Sequence, residues 1–493
     1  MDAVESPKQD AKEGRIQPER LIVLIGSLEQ QLQATQQQLQ ATQQQLQEAH
    51  QRIEELEKKI IGGPPTTKID EAYSMRAEER RKKKEARKKR KQKGRGGRLK
   101  TKDKIALAER TEQTYPDGSS PSECYLSHTR PVWRLENHRA VLIAYEIYRN
   151  STGKYGRIPG VLGHGEFGLE IVVEVAHLVY VVGLSFDKVC QLLHFFQELK
   201  LTKAQVNALL HQLSRHWEHQ FEVLCTLLAN SLVVNTDETS WSVNSVWAFL
   251  SEKARVVLFG VNKDAETLQK ILDPAAFEGI VVSDNYAVYA SFNQSQKCWA
   301  HLLRKAIKLA LQDPNNAEYS SFKDRLLEIY REACRVKQDG RLSDAGREKK
   351  VSDLELEIFE LCGPTWNANL PKSQGLADDY RLLVNEVMRL TLHEQLFTFV
   401  TAEPVVQPNG EEKPIGGTNN ESERTLRGPG QARDTGRTDK TPKGTRRRTI
   451  LTSVLESLRL YLPTFTFATV VDELKRWCLV GQVAVYCMRS NLF

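Results

Sequence analysis

No two of the eight cysteines, at 124, 190, 225, 298, 334, 362, 478 and 487, stand close enough to make a CxxC pair. A disulfide framework is therefore not expected in a chain of 493 residues, and reduced thiols in a cytosolic setting are. No apolar run reaches the length of a membrane span. The opening segment MDAVESPKQDAKEGR has no apolar signal core. These absences argue against secreted and membrane classes and predict a soluble intracellular protein with no membrane partner. The length accommodates two to four domains, each with a core of its own.

One stretch carries the whole positive balance of the chain. The formal net charge is +7, yet Arg76 to Lys104 alone holds 17 basic and four acidic residues, so the rest of the chain is net negative. A local excess of that size suits an arm for a polyanion better than a uniformly basic surface does. Ahead of it, Ile25, Leu32, Leu39, Leu46, Ile53 and Ile60 recur every seven residues. A second row of Leu28, Thr35, Thr42, Ala49 and Leu56 completes an a/d seam with a weak d row. A helix that buries one stripe needs a partner, so 21–61 reads as a self-associating coiled coil, against the alternative of a solvated Gln-rich tract. GGPPTT, from Gly62 to Thr67, ends it. The basic stretch follows the zipper instead of preceding it, which excludes a basic-zipper arrangement; its composition predicts disorder when free.

From about Pro131 the pattern becomes globular. HRAVLIAYEIYR alternates as a strand does. A helical region follows, in which LKLTKAQV puts Thr202 at an N-cap in a helix-turn-helix-like link. Such hairpins also occur in ordinary helical domains. SLVVNTDETSWSV, VWAFLSE and RVVLFGV then read as strands, DAETLQKIL as a helix and GIVVSDNYAVY as another strand, which together predict a mixed α/β sheet. Arg304 to about Thr401 is helical and charged, and shorter helices around a basic loop follow.

Two of these strands end on a carboxylate. Asp237 closes the apolar run LVVNTD, and Asp284 closes GIVVSD 47 residues later. Asp and Asn favour strand exits as turn residues, but α/β sheets also carry their chemistry beyond the carboxyl ends of strands. If the first and fourth strands are neighbours, both acids leave the same end of the sheet and repel each other, a conflict that a divalent cation removes. With a third acid such a site holds two metals. Trp241 and Trp247 fit the sheet core better than a base-stacking platform.

TDETSW, SDNYAVY, KCWAHLLRK and TNNESERTLR occur in this order and resemble the hallmarks of the insertion-sequence-66 transposase family. The similarity covers about Ile158 to Leu462. It implies a ribonuclease-H-like α/β core of the DDE type, carrying Asp237, Asp284 and Glu423 as catalytic acids and metal ligands. The 139 residues between the last two imply a helical insertion. Implied cofactors are two Mg²⁺ ions per active site, with Mn²⁺ as a substitute. Three departures stand out: Thr418 precedes the Asn-Asn pair where the family often has Asp, Cys124 and His128 are too few for zinc, and Gly428 and Pro429 should cut the Glu423 helix short. Glu421 is a rival acid, and Asn420-x-x-Glu423 also fits a capping box. Cys298 and His301 form a CxxH with no second pair nearby. The resemblance turns His301 and Arg304 toward DNA or the scissile phosphate, whereas a packed, satisfied His301 is the plainer reading. Nine basic and two acidic residues between Arg424 and Arg448 suit phosphate contacts. The DNA-facing set is thus His301, Arg304, Arg424, Arg427, Arg433, Arg437, Lys440, Lys443, Arg446 and Arg447.

The expected organisation is a disordered 1–20, a coiled coil over 21–61, a basic arm over 62–110 and a mostly helical DNA-binding domain over 111–228. The catalytic core follows over 229–310 and resumes over 415–462, interrupted by a helical insertion over 311–414; a helical segment spans 463–493. The expected activity is metal-dependent cleavage of double-stranded DNA at element ends and strand transfer into target DNA, by a homo-oligomer in a bacterial cytoplasm, on the nucleoid, with accessory transposition proteins as further partners. The alternatives are an inactive transposase-derived DNA-binding regulator and a metal-dependent nuclease without strand transfer.

Overall fold

The computed structural model describes residues 99–367 and 375–480. The N-terminal 1–20, the heptads of 21–61, the basic arm as far as Arg98 and residues 481–493 lie outside the described residues. After a short helix α1 (Thr101–Ala106), β1 (Arg110–Thr114), β2 (Cys124–Glu136) and β3 (Arg139–Asn150) form a sheet in the order β1-β3-β2. β2 and β3 are an antiparallel hairpin whose two turn residues, Asn137 and His138, both have positive φ. That conformation matches the strand twist and suits Asn. This sheet occupies the start of the segment that the sequence pattern assigns mainly to helix; of its strands, only β3 shows a long apolar run.

Four helices follow: α2 (Leu169–Tyr180), α3 (Phe186–Gln197), α4 (Lys203–His216) and α5 (Glu218–Ala229). α2 is apolar nearly all round and sits at the centre of the largest core. Thr202 caps α4 reciprocally with Gln205, as its Thr-x-x-Gln spacing predicts.

The second sheet contains β4 (Val233–Ser240), β5 (Ser245–Ser251), β6 (Arg255–Val261), β7 (Ile280–Ser283) and β8 (Ser295–Lys297), with helix α6 (Ala265–Gln269) between β6 and β7. Its order is β6-β5-β4-β7-β8; β4, β5 and β6 are antiparallel, and β7 and β8 run parallel to β4. This mixed arrangement is compatible with a ribonuclease-H-like core. Side chains alternate with the pleat. Trp247, Phe249, Val256 and Leu258 join the core shared with α2 to α5, while Val246, Ala248, Val257 and Phe259 face the other way with Trp241. Both tryptophans are core residues.

A separate apolar cluster holds the helical region α7 (Trp299–Gln312), α8 (Ala317–Gln338), α9 (Asp344–Cys362), α10 (Leu376–Leu392) and α11 (Thr398–Thr401). A small hairpin, β9 (Val405–Val406) with β10 (Glu412–Lys413), leads to α12 (Asn420–Asp434), then α13 (Pro442–Tyr461) and α14 (Phe467–Val480). Here the structure corrects the sequence expectation: α12 continues through Gly428 and Pro429 instead of stopping. Leu426 and Ala432, on either side of Pro429, pack on the outer sheet face, and that tertiary contact outweighs the local helix-breaking preference.

Candidate active site

β4 and β7 pair in parallel with Val233 opposite Ile280, Val234 opposite Val281 and Asn235 opposite Val282. Carrying that register two residues onward sets Asp237 against Asp284, on strands that lie about 4.8 Å apart. The neighbouring-strand condition raised by the sequence is therefore met. Asp237 is still inside β4, held by its pairing with Ala248 of β5, and its Oδ1 accepts the Glu238 N–H at 2.9 Å. Asp284 lies just past β7, and its Oδ1 accepts the Tyr286 N–H at 3.0 Å. Asp284 thus closes a turn and also stands at the tip of the sheet; the two readings coexist.

The N-terminus of α12 is fastened to this tip. Buried Asn419 donates from Nδ2 to the Thr236 carbonyl at 2.7 Å, next to Asp237, and from its backbone N–H to Cys298 Sγ at 3.2 Å. The Trp299 N–H, opening α7, donates to Gly417 O at 3.0 Å. Glu423 sits one turn along α12 and turns toward α7. Arg304 forks across its carboxylate, Nη2 to Oε1 at 2.6 Å and Nη1 to Oε2 at 3.4 Å, and His301 Nε2 lies 3.7 Å from Oε1. The capping box is not made: the N-cap is Asn419, without a side-chain cap, and Glu423 is occupied by Arg304. Glu421 points elsewhere, to Arg255 at 2.9 Å and to Lys413.

Burial, and after it the charge of adjacent Glu238, push the Asp237 carboxyl up to about 7; the charges of Asp284 and Glu423 add to the rise. The three acids therefore share one electrostatic field, although Glu423 groups more closely with Cys298 and His301. Oxygen donors of this kind fit a hard divalent cation. Asp237 would hold such a cation as its carboxylate, the form that burial and the charge of Glu238 disfavour. Glu423 can join only if Arg304 yields.

Several residues around the site carry no clear local signal. Glu238 is buried, bonded to the Tyr289 hydroxyl and paired with Lys263 at 2.8 Å. Lys297, 3% exposed, donates to Ser283 Oγ at 3.0 Å, and burial pushes its ammonium down to about 8. From α10, Glu386 accepts from Asn285 at 2.7 Å and pairs with Lys305, while Arg389 donates to Asn285 Oδ1 at 2.8 Å. Glu238 and Lys297 could be suspected from their places in TDET and KCWAH. Glu386 and Arg389 arrive from about a hundred residues away with nothing in the sequence to mark them.

The basic residues divide into two groups. Arg424, Arg427, Lys440 and Lys443 are exposed. The sequence reading expected Arg447 to face DNA, but the structure places it in the interior. It is 4% exposed and bound to the Tyr180 hydroxyl, to Asn207 Oδ1 at 2.6 Å and to Asp439. A buried guanidinium requires such partners, and these use its donors. Arg446 pairs with Glu218 at 2.8 Å, Arg433 donates to Ser240 Oγ at 2.6 Å, and Arg437 donates to Gly183 O at 2.7 Å.

Among protein-family models, the one described as Transposase IS66 family matches residues 164–446, more than half of the chain. No curated protein is similar enough to count as a relative. No helix among the described residues is long and apolar enough to cross a membrane.

Proposed function

The chain belongs to the IS66 transposase family, and on that premise we propose that it cuts DNA at the ends of a mobile element and joins the freed 3′ hydroxyls to target DNA. The observation that carries this reading is the parallel pairing of β4 with β7, whose register, carried two residues onward, sets Asp237 within β4 against Asp284 just past the end of β7. With Glu423 they are the residues that would hold divalent cations, Mg²⁺ in a pair. When bound, such cations activate the attacking oxygen and neutralise the charge that builds on the leaving oxygen.

The protein's own groups position the substrate around that chemistry. Each step forms one phosphorus–oxygen bond and breaks another: first water attacks and releases a 3′ hydroxyl, then that hydroxyl attacks target DNA and releases a target 3′ hydroxyl. Neither step needs a covalent link to the protein. Arg304, which forks across the Glu423 carboxylate, would on leaving it offer a charge-assisted donor to the scissile phosphate. Exposed Arg424, Arg427, Lys440 and Lys443 suit contacts to phosphates flanking the cut, which set register without reading sequence. The Arg76 to Lys104 stretch would add affinity of the same non-specific kind.

Glu423→Gln and Glu421→Gln separate the two candidate acids. In Mg²⁺, Glu423→Gln is expected to abolish end cleavage while DNA binding survives, and Glu421→Gln to cleave as the parent does. The reverse pattern would move the third ligand to Glu421. Recovery of cut ends without joined product from the parent chain would favour a nuclease.

A further inference from the structure

His301 has a buried ring nitrogen, Nδ1, with no hydrogen-bond partner. Beside the ring are a thiol and a carboxylate: Cys298, His301 and Glu423 each offer one ligand atom, and these atoms lie within 4.8 Å of one another. Cys298 is the N-cap of α7 and His301 its third residue, a spacing that puts both on one face. Glu423 reaches them from α12, whose first turn is bound to the same sulfur through the Asn419 N–H. The CxxH pair of the sequence thus gains its third member from 122 residues further along the chain.

We propose that Cys298, His301 and Glu423 form a second cation site, selective for Zn²⁺-like ions over Mg²⁺, which shares Glu423 with the acid pair. A thiol and an imidazole are poor ligands for Mg²⁺ and good ones for zinc, so the donor set decides the class of ion. Three protein ligands leave a fourth position open to water or a phosphate oxygen. Tetrahedral zinc holds its ligands about 3.5 Å apart; His301 Nε2 and Glu423 Oε1 are already 3.7 Å apart, and no pair in the cluster exceeds 4.8 Å. Side-chain rotation covers the difference once Arg304 releases Glu423. Burial pushes the Cys298 thiol up, while the amides of Asn419, His301 and Ala300 oppose the rise. Binding would displace the thiol proton, which leaves to solvent. An ion held here withdraws Glu423 from Asp237 and Asp284. That consequence for activity rests on the transposase reading; the site itself does not.

Co²⁺ titrated into the full chain without DNA tests the site directly, because cobalt reports thiolate ligation by a charge-transfer band in the near ultraviolet. One equivalent is expected to produce that band, together with the strong visible bands of a tetrahedral ion, and Zn²⁺ to bleach both. Cys298→Ser should lose the charge-transfer band, and His301→Gln should lose the tetrahedral signature. Asp237→Asn, outside the cluster, should keep both. Far-ultraviolet circular dichroism checks that each variant is folded. No band in the parent chain, a band surviving in Cys298→Ser, or an unchanged spectrum in His301→Gln would each overturn the proposal. A chain that shows the band but cuts no DNA retains the site and loses the transposase reading, so the two failures are distinguishable.

Discussion

Asp237 is disfavoured as an anion for two reasons at once, because it is drawn out of water and stands beside Glu238. The sign of the resulting pH dependence follows. An unfolded Asp gives up its proton near 3.8, whereas folded Asp237 keeps it to about 7, so the folded state binds the proton more tightly between those values. The stability from this group is complete below about pH 4 and is lost as pH rises through 7. Thermal melting of the metal-free chain should therefore decline from pH 5 to pH 8 more steeply for the parent than for Asp237→Asn, and Mg²⁺ should recover part of the loss at pH 8. Parallel melting curves for the two proteins would remove the raised proton affinity assigned to Asp237. The place of Asp284 just past its strand was legible in the sequence because a strand exit is a local pattern. The sequence pattern also ends a strand at Asp237, which lies instead inside β4; that strand continues to Ser240 because β5 pairs with it from Val234 onward. Arg447 was misleading because a charged run says nothing about which member turns inward to Tyr180 and Asp439.

β6 is the edge strand of the five-stranded sheet, and α13 covers it with hydroxyl groups. Thr449, Ser453 and Ser457 accept the N–H groups of Phe259, Val257 and Arg255 at 3.1, 2.9 and 2.9 Å. Four residues of helix rise about 6 Å and two of strand about 6.7 Å, so the two ladders stay in step. One turn earlier, the Thr445 methyl lies 2.7 Å from where a Cβ on Gly260 would fall, and Gly260 has φ of +68°. Ser453→Ala removes the acceptor for a buried amide and should cost about 1–3 kcal/mol, measured by denaturant unfolding; a loss near zero would mean that the amide finds another partner. Edge strands left bare invite pairing with other chains, so this cover also protects the sheet that carries Asp237. The spacing of Thr449, Ser453 and Ser457 is visible in the sequence, but the strand it serves lies 190 to 202 residues away. The helical hairpin capped by Thr202 was readable because all its determinants are local. The continuation of α12 through Pro429 was not, since it depends on the sheet beneath.

At the scale of the whole chain, the order of strands and helices gathers distant parts of the described sequence around the proposed site: β4 and β7 carry Asp237 and Asp284, and α12 returns after the α7 to α11 helices with Glu423. Two DNA ends must meet for transposition, and the heptads of 21–61 are proposed to bring two copies of the site together. Sedimentation of the full chain without DNA should show a larger assembly than a chain beginning at Gly62, and equal masses would assign association elsewhere. The central claim is the metal-dependent acid pair. Its most direct test uses the full chain with Mg²⁺ and DNA carrying the inverted repeats that border the element, comparing the parent with Asp284→Asn. The parent is expected to cut the repeat ends and join them to target DNA, while Asp284→Asn binds the same DNA as tightly and yields neither product. Cut and joined DNA from Asp284→Asn at the parent's rate would contradict the account.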